Sequence, residues 1–138
     1  MVDRLNTRNM LKRRHFNIGH DTSCVLCNSG HEETLHHLFF DCYFSSSCWR
    51  KIGFVWNTSL DRFDMFMHAK SAYQGPLFLE LFTIAAWAIW KERNNLIFNA
   101  INPSFDGWKS RVISDLTLLR FRVPQNLVST ISSFISRL

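Results

Sequence analysis

A mainly α-helical fold is what the sequence predicts: a small amino-terminal knuckle with an attached helix, followed by a carboxy-terminal set of amphipathic helices. Three observations predict it. Apolar residues recur at helical spacing through most of the second half. Gly75-Pro76, Asn102-Pro103-Ser104 and Pro124 cut that half into helix-length pieces. Nowhere does a stretch alternate in the two-residue rhythm of a large sheet, and no internal repeat or low-complexity tract interrupts the pattern. With 46% hydrophobic and 20% charged residues the chain is not compositionally disordered. Its 138 residues suit one domain, or one small domain with an extension.

Residues 3–15 are expected to form the first helix, with Leu5, Met10 and Leu11 as a sparse apolar stripe. Arg4, Arg8 and Lys12 recur every fourth residue and so share one face. With Arg13 and Arg14 they build a basic ridge, opposed within residues 1–20 by Asp3 alone. The net charge of +5 is therefore concentrated at one end, and a polyanion is the natural partner of such an end. A solvated helix face is the plainer explanation of the same charges. Residues 17–23 have loop composition, and Asn28-Ser29-Gly30 reads as a turn. A helix is expected from Glu32, whose acidic first turn suits the helix dipole. A further helix and turn follow in residues 43–58, and residues 57–64 read as a polar connection in which Asp61 and Asp64 serve as solubilisers.

The strongest helix spans Leu77 to about Ala100, apolar nearly all round in its first half and hence central to the core. Pro76 fits its first turn, where a missing N–H costs nothing. Residues 105–122 and 125–137 complete the set. The division this implies is residues 1–57 as one unit and residues 58–138 as a helical region. No secretory signal is read at the amino terminus, and the longest apolar stretch, Leu77 to Trp90, contains Glu80 and falls short of the roughly 20 residues needed to cross a bilayer. A soluble intracellular protein with no membrane partner is expected.

In a reducing compartment, cysteines spaced C-x-x-C read as metal or redox chemistry before disulfides. Between residues 24 and 42 the chain runs C-V-L-C-N-S-G-H-E-E-T-L-H-H-L-F-F-D-C. A tight turn lets Cys24 and Cys27 face one ion, and a helix beginning near Glu32 presents His37. On a continuous α-helix Cys42 would lie about 140° round from His37. The helix must therefore end near Phe40 or Asp41 for Cys42 to close a tetrahedron. Three thiolates and one imidazole form a closed set with no position left for water, which is the signature of structural rather than catalytic Zn²⁺. Buried free thiols are the alternative. His36 is the rival ligand to His37, with His31 and His20 weaker, and Cys48 beside Trp49 reads as a small core residue. His31-Glu32-Glu33-Thr34-Leu35-His36 imitates a metalloprotease helix, but its histidines are five apart and cannot share a face. No phosphate loop, nucleophile elbow or paired aspartates are present, so no enzyme is predicted.

These residues carry a family resemblance. L-N-T-R-N-M-L at residues 5–11, C-V-L-C at 24–27, E-E-T-L-H-H-L-F-F-D-C at 32–42 and Cys48-Trp49 resemble the zinc-binding domain of reverse transcriptases of plant non-LTR (LINE-like) retrotransposons. A-A-W-A-I-W-K-E-R-N-N-L-I-F at residues 85–98 is similar to a W-x-I-W-x-x-R-N tail that follows it. By position the resemblance implies Cys24, Cys27, His37 and Cys42 as the ligands. Tyr43 departs from the family's frequent proline. Met1 falls inside the start of the domain, so an amino-terminally truncated fragment or domesticated remnant without its polymerase is expected. The implied function is a non-catalytic module binding nucleic acid, RNA more than DNA, through Arg4, Arg8, Lys12, Arg13 and Arg14, with exposed aromatics such as Phe16 or Phe44 stacking on bases. The alternative is a structural or protein-interaction domain whose apolar helix packs on a polymerase or on itself.

Overall fold

The computed structural model describes Thr7, Arg8 and residues 22–138. The helix expected over residues 3–15, most of the loop after it, and Arg4, Lys12, Arg13, Arg14, Phe16 and His20 lie outside the described residues. The rest is mainly helical. A π-helical turn, His37–Asp41, is followed by α1 (Tyr43–Ile52), α2 (Arg62–Ala72), α3 (Phe78–Asn99), α4 (Phe105–Leu119) and α5 (Gln125–Arg137). No helix among the described residues is long and apolar enough to cross a membrane.

Before the π turn the chain doubles back, with an antiparallel bridge between Ser23 and Glu32. The Cys24 N–H donates to the His31 carbonyl at 2.7 Å, and the Glu33 N–H to the Thr22 carbonyl at 2.8 Å. The helix expected from Glu32 therefore starts three residues later, at Leu35, because residues 32–33 are spent on this ribbon. Ser45, Cys48, Trp49 and Ile52 form the buried stripe of α1 at helical spacing. Gly53 stops the helix at φ 84°, a left-handed conformation that glycine adopts without steric cost.

Helix α2 was not legible as a helix, and Asp61 has a different role from the one expected. Its carboxylate accepts from the Asp64 N–H at 2.9 Å and caps α2. Pro76 also lies two residues before the first-turn position expected for it: Leu77, at φ 66°, is the cap and Phe78 the first helical residue. Helix α3 then runs for 22 residues, about 33 Å at 1.5 Å per residue. Ala85 and Ala88, both fully buried, let α4 approach closely enough for the Trp108 indole N–H to reach the Ala85 carbonyl at 3.2 Å. Ser104 caps α4 by accepting from the Gly107 N–H. Helix α5 buries Ile131 and lays Phe134 and Ile135 on the same core.

Side chains from both sides of residue 57 share this core. Trp49 is at its centre, its ring 5.8 Å from Phe54, 5.6 Å from Phe82 and 5.3 Å from Trp56 between centroids. Two ion pairs, one buried and one partly buried, are set on consecutive residues of α3. Arg93 donates to Glu33 through Nη2 at 2.7 Å and Nε at 3.3 Å. Glu92 accepts from Arg111 Nε at 3.0 Å and from the Ser104 N–H at 3.2 Å.

Candidate metal centre

Cys24 and Cys27 flank a tight turn that ends in two left-handed residues, Asn28 at φ 49° and Gly30 at φ 80°. Glycine and asparagine tolerate that conformation best, so the N-S-G tripeptide sends the chain straight back towards the rest of the site. His37 opens the π turn and Cys42 follows it. The Cys42 N–H donates to the His37 carbonyl at 2.7 Å, five residues back. A π turn places residues i and i+5 over one another, which removes most of the angular separation that an α-helix would impose. At Cys42 the backbone then leaves the helix, with ψ 134°.

The carbonyls at the end of a helix lack intrahelical partners, and here side chains of α1 supply them. The Ser45 hydroxyl donates to the Leu38 carbonyl, Trp49 Nε1 to that of Phe39 at 2.6 Å, and the Ser46 hydroxyl to that of Phe40 at 3.2 Å. F-S-S-S-C-W is thus the sequence that lets the π turn end where the site requires. At its start, Thr34 Oγ1 accepts from the His37 N–H at 3.0 Å. The expectation that the helix ends near Phe40 or Asp41 is met, by way of a widened turn rather than an α-helix cut short.

Four ligand atoms, one each from Cys24, Cys27, His37 and Cys42, lie within 4.8 Å of one another. Cys24 Sγ and Cys42 Sγ are 3.8 Å apart, and Cys27 Sγ and His37 Nε2 3.3 Å. A tetrahedron built on 2.3 Å Zn–S and about 2.05 Å Zn–N bonds has edges of about 3.8 and 3.6 Å. The donor set therefore fits Zn²⁺ in both chemistry and size. His36 is not part of this cluster: its Nε2 pairs with Asp41 at 3.2 Å.

The protons in this cluster are unevenly held. Cys24 is pushed far up, first by its hydrogen bond to Cys42 and then by burial. Cys42 is pulled down by that same bond, and by the amides of Phe44 and Ser45 at the start of α1. Burial lowers the His37 pKa, with His31 adding to the shift, so the imidazole is neutral and ready to ligate. A divalent cation would replace the shared thiol proton, neutralise the thiolates and cross-link three segments of chain. That contribution is structural.

Sequence reasoning missed the shell around the ligands. Ser29 Oγ lies 2.9 Å from Cys27 Sγ and 2.6 Å from His31 Nδ1, and the His31 ring stacks on His37 at 5.0 Å. Glu33 is fully buried and takes the Arg8 N–H at 2.6 Å as well as the Arg93 fork. The Arg8 guanidinium donates to the Ser23 carbonyl at 2.9 Å. Of the proposed basic ridge, then, Arg8 is described, and it is docked on the knuckle. Cys48 lies apart in the core, its thiol pushed up by burial and by Glu92.

A closed set of three cysteines and one histidine on a helical scaffold is positioned to hold a zinc ion of the structural kind. Residues 1–49 match the family described as zinc-binding in reverse transcriptase. This part of the chain, with Cys24, Cys27, His37 and Cys42 inside it, is similar to that zinc-binding domain, and the likeness read from the sequence holds at that level. No curated protein and no solved structure matches the chain.

Proposed function

We propose that this protein is a non-catalytic, zinc-organised nucleic-acid-binding module of a LINE-like retrotransposon reverse transcriptase of plant type, acting inside the cell on RNA in preference to DNA. In this reading residues 1–57 supply the metal site and the cationic ridge, and residues 58–138 the helical body. The observation that carries it is the docking of Arg8 on Ser23 and Glu33. It ties Arg8, a member of the basic run Arg4, Arg8, Lys12, Arg13 and Arg14, to the knuckle that zinc would hold rigid. A run of cations beside such a knuckle supplies the charge that neutralises phosphates.

The test is fluorescence anisotropy with labelled single-stranded RNA and DNA of one sequence over a range of salt. Log affinity should fall with log salt at a slope of several units, with RNA the tighter ligand. Replacing Arg13 and Arg14 together by alanine should flatten the slope by about 1.4, at roughly 0.7 per phosphate on a single strand. Salt-independent or absent binding refutes the proposal.

A second reading, docking on a polymerase or on another copy of the chain, is favoured by one observation. Phe98 and Phe121 are 75% and 82% exposed, large apolar rings that a partner surface could cover. Light scattering that gives a concentration-dependent mass, lost on F98S/F121S substitution, would support it.

A further inference from the structure

A groove of about 390 Å³ opens between the π turn, α2 and the middle of α3. Its walls are aromatic: Phe39 and Phe40 from the π turn, Phe66 from α2, and Phe82, Trp87 and Trp90 from α3. No carboxylate lines it, whereas Arg62, at the start of α2, does. Lys91 adds a second cation, its ammonium 5.7 Å from the centroid of the Trp87 ring. The acid nearest in sequence, Asp61, is engaged in capping α2. Trp87 is 47% exposed, so one of the largest rings in the chain is offered to solvent at the rim.

The chemistry of this lining selects its occupant. Ring faces in several orientations suit a flat aromatic group, and Arg62 in the lining, with Lys91 over the Trp87 ring, suits a ligand that carries negative charge beside that group. An unpaired nucleotide has both. A base inside a duplex has its faces covered by its neighbours and cannot enter. We propose that this groove takes an unpaired nucleotide of a single nucleic-acid strand, its base against Trp87 and its phosphate facing Arg62 and Lys91. The inference rests on the nucleic-acid-binding reading above, and adds to it a second site, built from residues other than the amino-terminal basic run, with a preference for single strands. It also ties that preference to the metal, because Phe39 and Phe40 belong to the turn that runs between the ligands His37 and Cys42.

The experiment uses the full zinc-loaded chain with two fluorescein-labelled probes, an eight-nucleotide oligouridylate and a 16-base-pair duplex. Tryptophan emission is recorded alongside anisotropy. Trp87→Ala should weaken the oligouridylate about tenfold, in the range of one lost base stack, and leave duplex affinity within twofold. Trp87→Phe should retain most of the binding, and Arg62→Ala should reduce the salt slope on the single strand by about 0.7. Circular dichroism on each variant guards against misfolding. If Trp87→Ala leaves the oligouridylate affinity unchanged while R13A/R14A lowers it, the groove is not the site and the ridge alone binds nucleic acid. Equal weakening on both probes overturns the single-strand preference. If neither probe binds the wild-type chain, the nucleic-acid reading itself falls. An amphipathic helical peptide that fills the groove without competition from the oligouridylate would make the occupant a protein.

Discussion

Replacing Arg93 by methionine should destabilise the protein more than any other change of similar volume outside the metal ligands. The Glu33 side chain is fully buried and that of Arg93 is 3% exposed, so no water stands ready to solvate what is left. Removing the guanidinium takes away the donors at 2.7 and 3.3 Å and leaves the carboxylate with the Arg8 N–H. Breaking a buried pair from one side costs about 3–5 kcal/mol. The Arg93 guanidinium also lies 4.7 Å from the centroid of the Trp90 ring, an interaction worth about 1 kcal/mol. A total near 5 kcal/mol is a large share of the 5–15 kcal/mol that a domain has, and corresponds to a fall in Tm of about 17 °C. Glu33→Leu combined with Arg93→Met removes both charges and should recover most of the loss, since apolar replacement of a whole buried pair is near neutral. The assay is equilibrium urea unfolding of zinc-loaded protein followed by tryptophan fluorescence, at low and high salt. The reasoning fails if the single variant loses less than about 1 kcal/mol, if the double variant is no better than the single, or if salt alone reproduces the effect.

Purified protein should hold about one equivalent of zinc, lost in Cys24→Ser, as read by metal analysis. Zinc affinity should fall as pH drops from about 7 to 5. His37 is held below its ordinary range, so acid protonates the unfolded chain more readily than the folded one, and stability and metal leave together. A flat competition profile against a chromophoric chelator over that range would contradict this. Cys48, with its thiol pushed up by burial, should resist a thiol reagent in native protein and be labelled only on unfolding, as located by peptide mass mapping; fast labelling of Cys48 in native protein would be inconsistent with its burial. Gly107→Ala, ordinarily stabilising in a helix, should instead cost on the order of 1 kcal/mol, because the added methyl would meet Glu92 Oε1 at 2.7 Å and Ser104 Oγ at 2.9 Å. A raised melting temperature would show that Glu92 simply moves aside.

The ligands were legible because cysteine and histidine in that spacing have few other uses, and α3, α4 and α5 because proline and glycine cut an amphipathic sequence at their ends. Helix α2 hid itself. Its buried residues are Met65 and Ala69, yet Phe63 and Met67 are 72% and 42% exposed, so apolar residues occupy more than one face and no period stands out. Its cap, Asp61, looks like any loop acid until the Asp64 amide is placed against it. The π turn has no local signature, because it exists to bring His37 and Cys42 together and depends on hydroxyl and indole donors from the next helix. The Glu33–Arg93 pair joins residues 60 apart, beyond the reach of any periodicity.

That pair gives physical content to two stretches that the sequence marked only by likeness. Glu33 belongs to the segment around the ligands and Arg93 to the W-K-E-R-N-N stretch of α3. One reaches the other through a fork of hydrogen bonds in a dry interior. The residue before Arg93 works in the opposite direction. Glu92 receives the Ser104 amide and Arg111, and so fixes the start of α4. Adjacent positions on a helix point about 100° apart, which allows one turn of α3 to hold the metal knuckle on one side and the next helix on the other. A carboxylate buried at Glu33 costs several kcal/mol unless Arg93 is in register, and Arg93 is in register only when α3 is folded and docked. The metal centre and the helical body therefore constrain each other through two charged residues that an apolar core would otherwise exclude.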